Sequence, residues 1–161
     1  MLAAAAWCEG GIAVQEYAAP KTFRRARYPG RTDLWIRTRT GYDYVVEAKV
    51  AYVGAPGTTR TSTIDGRLDA HLAWAKDDAR HTARADAEHV LAVVFVVPLV
   101  EVPKKEEEQQ QQQQQQRARL DELLRLTDRD DVDVWAWAPT ADPPSEEGYA
   151  YPGVLLLGVS R

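Results

Sequence analysis

Two carboxylates and one amine stand where the chain otherwise reads as buried strand. The stretch RTDLWIRTRTGYDYVVEAKVAYV, residues 31–53, is a pair of apolar runs joined by a turn at Thr40-Gly41. Asp33 opens the first run. Glu47 and Lys49 sit inside the second, among Val, Ala and Tyr. Side chains alternate along an extended strand, so Val45, Glu47 and Lys49 share one face while Tyr44, Val46, Ala48 and Val50 share the other. Glu47 and Lys49 are then roughly 7 Å apart. Counting outward from the turn brings Asp33 and Glu47 within about one residue of register, which a bulge can absorb.

Two carboxylates held together repel, and their proton affinity rises unless a cation joins them. A hard divalent ion such as Mg²⁺ or Mn²⁺ relieves this with oxygen ligands and retained water. The Ala48 carbonyl, between Glu47 and Lys49, is a third oxygen within reach. Such an ion lowers the pKa of a bound water and stabilises charge on a phosphoryl oxygen. Lys49 would hold that water or the attacked phosphate as a point charge. The chemistry expected is metal-assisted phosphodiester hydrolysis. On the same reasoning, removing Glu47 from the metal-free protein relieves repulsion and should raise the melting temperature. The plainer account is a solvent-facing Glu–Lys pair worth a few tenths of a kcal/mol. Against it, Glu47-Ala48-Lys49 is the only acid-x-Lys in the chain, and Lys is scarce beside Arg, five to fifteen.

A basic island adjoins these residues. From Lys21 to Arg39 there are seven cations (Lys21, Arg24, Arg25, Arg27, Arg31, Arg37, Arg39) and one acid, Asp33, in a chain of net charge −4. That segment is +6, which leaves −10 elsewhere. A local basic patch in an acidic protein points to a polyanion, and Lys21, Arg24, Arg25, Arg27 and Arg31 are the residues expected to grip a nucleic-acid backbone. The plainer account is a solvated loop. The single cysteine, Cys8, excludes a disulfide framework or a Cys-based zinc site within one chain and fits a reducing cytoplasm. MLAAAAWC lacks the basic start and the apolar length of a signal peptide. No apolar run is long enough to span a membrane; VLAVVFVVPLV, residues 90–100, is broken by Pro98. The Arg and Ala bias is of the kind GC-rich bacterial genomes encode.

The elements that must position the trio follow from periodicity. Residues 1–9 are Ala-rich and helix-favouring, stopped by Gly10-Gly11. So short a helix at a start codon resembles the tail of a longer one, and the chain is expected to continue upstream. Strands are expected near 12–18, 32–39, 42–53, 90–97, 132–138 and 153–159. APKTFRRARYPG between the first two reads as a loop or a ragged strand extension, punctuated by Pro20 and Pro29-Gly30. Ile64, Leu68, Leu72, Ala75 and Ala79 mark one face of a helix over about 64–83. Eight consecutive Gln make a low-complexity, Gln-rich helical insertion at about 104–119, with Leu120, Leu123, Leu124 and Leu126 as its packed end. With 161 residues the chain is read as a single α/β domain, a central mixed sheet between helices.

RYPGRTDLWIRT…YDYVVEAKVAYV resembles the PD-(D/E)XK, or restriction-endonuclease-like, nuclease superfamily. The resemblance implies a helix-strand-strand-strand-helix-strand core over residues 1 to about 97. It implies Asp33 and Glu47 as metal carboxylates, Lys49 as the catalytic amine, and Mg²⁺ or Mn²⁺ as cofactor. Thr32 stands where the motif name has Pro. Relatives often carry an acid on the first helix; Glu9 is the candidate there, with Glu16 on the first strand as the alternative. The Gln and Tyr that some members carry on the helix after the Lys strand are missing from DAHLAWAKDDARH.

The function expected is a metal-dependent nuclease acting on nucleic acid, foremost DNA, in the cytoplasm and away from membranes. Cutting a duplex would favour a homodimer, since one site cuts one strand. Two rivals stand beside it: a non-catalytic nucleic-acid-binding or protein-interaction module on the same fold, and an acidic interaction protein using the Gln helix. His71, His81 and His89 lack the spacing of a metal set. Trp35 shares a face with Asp33 and could stack a base, although core packing is the commoner role. Trp135 and Trp137 read most simply as packing.

Overall fold

β-branched and aromatic residues carry the first half of the chain into extended structure. The computed structural model describes residues 1–23, 26–54, 61–82, 87–101, 114, 118, 121–140 and 149–160. In order these form α1 (Leu2–Cys8), β1 (Ile12–Phe23), β2 (Ala26–Arg37), β3 (Asp43–Val53), α2 (Thr61–His81), β4 (His89–Pro98), β5 (Val100–Glu101), β6 (Val134–Pro139), β7 (Tyr149–Ala150) and β8 (Gly153–Ser160). Residues 121–125 are helical and run into a 3-10 turn at Leu126–Asp128. Among the described residues the strand order is β1-β2-β3-β4-β8-β6 in one mixed sheet, with β5 and β7 as a separate pair. The fold is α/β, and α1 to β4 follow the element order expected for residues 1–97.

The largest departure from expectation is the length of β1 and β2. The segment read as loop or ragged extension is a regular ribbon, paired from Ile12↔Arg37 out to Phe23↔Ala26. Pro20 and Pro29 suggested a break, but they stand opposite one another, and β1 is an edge strand of its sheet. A rung formed by two prolines lacks both N–H donors, which an edge ribbon tolerates and a central strand does not. The ladder between β2 and β3 runs from Arg37↔Asp43 to Leu34↔Val46. Beyond Leu34, β2 continues with β1 rather than along β3.

α2 starts and ends slightly earlier than expected, and Leu68, Leu72, Ala75 and Ala79 form its buried stripe. The side chain of Ile64, expected on the same stripe, lies outside the described residues, as do Arg24, Arg25 and nearly all of the Gln-rich insertion. Val90, Ala92, Val94 and Val96 bury one face of β4, and on the other Val93 is buried while Leu91, Phe95 and Val97 are half-buried.

The chain divides into two compact units. One comprises Met1–Lys49, Leu72–Val93 and Gly158–Arg161. Its core includes Val45, Val46 and Leu34, and Ala75 and Ala79 of α2 cluster with Val90 and Ala92 of β4. The other comprises Val50–His71 and Val94–Leu157. Leu68, Leu123, Leu155 and Leu157 are buried there, and the Leu99 N–H bonds the Val53 carbonyl at 2.7 Å. Trp137 lies against Gly153, where a Cβ would meet the ring at 2.3 Å. Trp135, expected to pack, is instead 55% exposed. Among the described residues no helix is long and apolar enough to cross a membrane.

Candidate active site

Residues directly opposed in an antiparallel pair point to the same face. With Leu34↔Val46 and Trp35↔Val45 as consecutive rungs, the next pair out is Asp33 and Glu47, on the face of Trp35 and Val45. Counting from the turn put the two within about one residue of register, and the observed ladder brings their positions directly opposite. The rung itself does not form. The Asp33 Oδ2 accepts the Ala48 N–H at 2.7 Å, so a side chain takes the place of the next backbone partner on β2. On the other side of β2 the β1 ladder passes over Glu16, whose φ is +47°, and resumes at Tyr17↔Thr32. Asp33 thus stands at a fork, exposed, with a break in the ladder on either side.

Glu47 is the opposite case. It is 2% exposed and follows Val45 and Val46, which are fully buried. A charge at such a depth must be partnered. Thr82 Oγ1, at the end of α2, donates to Glu47 Oε1 at 2.6 Å. Lys21 Nζ, from β1, lies 3.0 Å from the same oxygen. Lys21 also forms a backbone bridge with Thr82, so three elements close on one carboxylate.

Lys49 is part-buried two residues further along β3, where its ammonium donates to Asp78 Oδ2 of α2. Burial pulls the Lys49 pKa down. The hydrogen bond and charge of Asp78, with the charges of Asp33 and Glu47, outweigh it, and the net shift is upward. Lys49 therefore stays an ammonium at neutral pH. It can donate hydrogen bonds and stabilise negative charge, but it cannot accept a proton.

Asp33, Glu47 and Lys49 are brought together, and Lys21 joins them as a partner of Glu47. The remaining sequence-predicted residues lie elsewhere or are spoken for. Arg31 pairs with Glu16, each largely exposed. Glu9 lines a surface pocket of ≈ 420 Å³ with Leu2, Ala5, Ile36 and Arg39. The Arg37 guanidinium meets Asp43 at 2.7 Å through both Nε and Nη2, a bidentate pair that raises the arginine pKa and lowers that of the aspartate, and it lies 5.3 Å over the Trp35 ring. His71 Nδ1 is 2.8 Å from the Arg67 carbonyl of its own helix. The side chains of Arg24, Arg25 and Arg27 lie outside the described residues. Three cations of the basic island are thus paired with carboxylates.

Sequence reasoning missed Asp78 and Thr82. Both flank the buried Ala75–Ala79 stripe, and 75, 78 and 82 fall on one helix face. That spacing was legible. Which strand the face covers was not.

Asp33, Glu47 and the Ala48 carbonyl are the donors that could hold a hard divalent cation. Within one extended residue the N–H and C=O project to the same strand edge. The Ala48 N–H meets Asp33, so the Ala48 carbonyl projects to the edge where Asp33 stands, beside Glu47. All three donors are oxygen, the ligand type Mg²⁺ and Mn²⁺ take. Among the described residues no group of three or more His, Cys, Asp or Glu side chains is placed to hold a metal ion, so a cation here would depend on two carboxylates, a carbonyl and water.

No family model matches the chain, and neither a curated protein nor a solved structure matches it.

Proposed function

We propose that the protein is a metal-dependent nuclease that hydrolyses phosphodiester bonds, foremost those of DNA, at Asp33, Glu47 and Lys49. The supporting observation is the fork in the sheet. Asp33, the Ala48 backbone and Glu47 meet where β2 leaves β3, with Lys49 on the face of Glu47. The PD-(D/E)XK resemblance gives the same three residues the same roles.

Asp33 and Glu47, with the Ala48 carbonyl, would hold the cation. Bound there, Mg²⁺ or Mn²⁺ would supply an acidified water and positive charge for a phosphoryl oxygen. Asp33 is fixed by the Ala48 amide and Glu47 by the Thr82 hydroxyl, so both carboxylates are already placed. Lys49, kept protonated by Asp78, donates to the attacked phosphate or orients the water and does not act as base. The basic residues of the β1–β2 ribbon supply sequence-independent grip on the backbone. A homodimer would serve duplex cutting, one site per strand.

One observation favours a second reading. Glu47 already has a cationic partner in Lys21, and a neutralised carboxylate does not need a metal. A non-catalytic nucleic-acid-binding or protein-interaction module on the same scaffold would suit that pairing. Cleavage of labelled single-stranded and duplex DNA in Mg²⁺ or Mn²⁺, with parallel metal and DNA titrations, separates the two. The nuclease reading expects Asp33→Ala to lose metal binding and cleavage together. It expects Lys49→Ala to keep metal and DNA binding and lose turnover. A Lys49→Ala protein that cuts as fast as wild type overturns it.

A further inference from the structure

Lys21 was read from the sequence as one of several backbone-gripping cations, yet it is built into the site. Its Nζ is 3.0 Å from Glu47 Oε1, and the two side chains are 13% and 2% exposed. Its stem crosses β2 over Gly30, where a Cβ would lie 2.5 Å from Lys21 Cγ and 3.0 Å from Cδ. Only a residue without a side chain leaves that passage open. Its backbone bridges Thr82, whose hydroxyl holds the same Glu47 oxygen at 2.6 Å. The ribbon is thereby tied to the end of α2 at the point where its lysine reaches the carboxylate.

We propose that Lys21 and a divalent cation are alternative partners of Glu47, so that cation binding expels Lys21 and loosens the ribbon from α2. This rests on the reading of Asp33 and Glu47 as metal ligands. An ammonium and a dication on one buried carboxylate repel strongly, because little water screens them. Lys21 keeps some exposure and a flexible stem, so it is the partner able to leave for solvent. The released ammonium then stands on the ribbon beside the site, free for a phosphate. Cation arrival would exchange one bound positive charge for another and change the anchorage of the nucleic-acid-binding arm.

The test is a Mn²⁺ titration by calorimetry on the metal-free full chain, for wild type, Lys21→Met and Gly30→Val. The second variant keeps the ammonium and blocks its path. Both variants should bind Mn²⁺ about tenfold or more tightly than wild type, as removal of one nearby positive charge implies. Hydrogen exchange on wild type should show the Lys21 amide exchanging faster with Mn²⁺ than without. If wild type binds Mn²⁺ and the folded variants bind it with unchanged or weaker affinity, Lys21 does not compete and the exchange is refuted, with the metal site intact. If no protein binds Mn²⁺, the metal reading falls and the exchange with it. Should Lys21→Met fail to fold, Gly30→Val and the wild-type exchange rates decide, and unchanged rates refute the proposal.

Discussion

Glu47→Ala in the metal-free protein should lower stability. A bare pair of carboxylates would predict the reverse, since deleting one relieves repulsion. The structure supplies what that reasoning lacked: Lys21 at 3.0 Å and the Thr82 hydroxyl at 2.6 Å, both on Glu47 Oε1. Asp33, the repelling partner, is exposed and donates nothing to the burial cost. Removing one member of a buried ion pair costs about 3–5 kcal/mol, because the other charge is stranded. Lys21 can turn toward water, which places Glu47→Ala at the low end, about 3 kcal/mol. For a chain of this size each kcal/mol moves the melting temperature by about 2–4 °C, so a fall of about 6–12 °C is expected. Glu47→Gln keeps an acceptor for Thr82 and Lys21 and should cost about 1–2 kcal/mol. The assay is urea unfolding in a chelator, with thermal melts alongside. A Glu47→Ala protein that melts at or above wild type would show that repulsion governs the site and that the Lys21–Glu47 pair does not hold.

Asp78→Asn should lower the Lys49 pKa and weaken the protein in a pH-dependent way. The Lys49 pKa is raised on folding, so its pairing stabilises fully below the ordinary lysine value of about 10.4 and fades as pH climbs through the higher folded value. The stability gap between wild type and Asp78→Asn in urea titrations should therefore narrow on going from about pH 8 to above about pH 10.4, and a gap flat with pH would remove the pairing. Gly153→Ala should cost about 1–3 kcal/mol through overpacking against Trp137, because its methyl would lie 2.3 Å from Trp137 Cζ2 and 2.7 Å from the Ala138 carbonyl oxygen. Trp137→Leu in the same chain should restore part of that loss in thermal melts, and a neutral Gly153→Ala would mean the ring moves aside freely.

Local periodicity carried the element order from α1 to β4 and brought Asp33 to within about one residue of Glu47, because alternation and a short turn leave few ways to pair two strands. It also placed Glu47 and Lys49 on one face. The same local rules failed on the ribbon. Pro20 and Pro29 each argue against a strand when read singly, and their tolerance depends on standing opposite one another at a sheet edge. The Lys21 contact was hidden for a related reason. Lys21 stands at the head of an arginine-rich run in sequence, and its neighbour in space is Glu47, reached only because Gly30 opens the way. Asp78 and Thr82 could be put on one helix face but not over a given strand, since the crossing of α2 over β3 is set by tertiary packing. A contact of that kind leaves no periodic signature.

The bond from the Ala48 amide to the Asp33 carboxylate has a spectroscopic consequence. Most backbone amides in a sheet face a carbonyl whose charge never changes. This one faces an oxygen that would carry a cation, and its 2.7 Å bond makes it sensitive to that oxygen's electron density. Arrival of a metal ion, or of a phosphate beside it, alters the field along a single N–H vector. In a ¹⁵N-correlated spectrum the Ala48 cross-peak is therefore a reporter within the chain itself, readable without an attached probe, a substrate or a turnover.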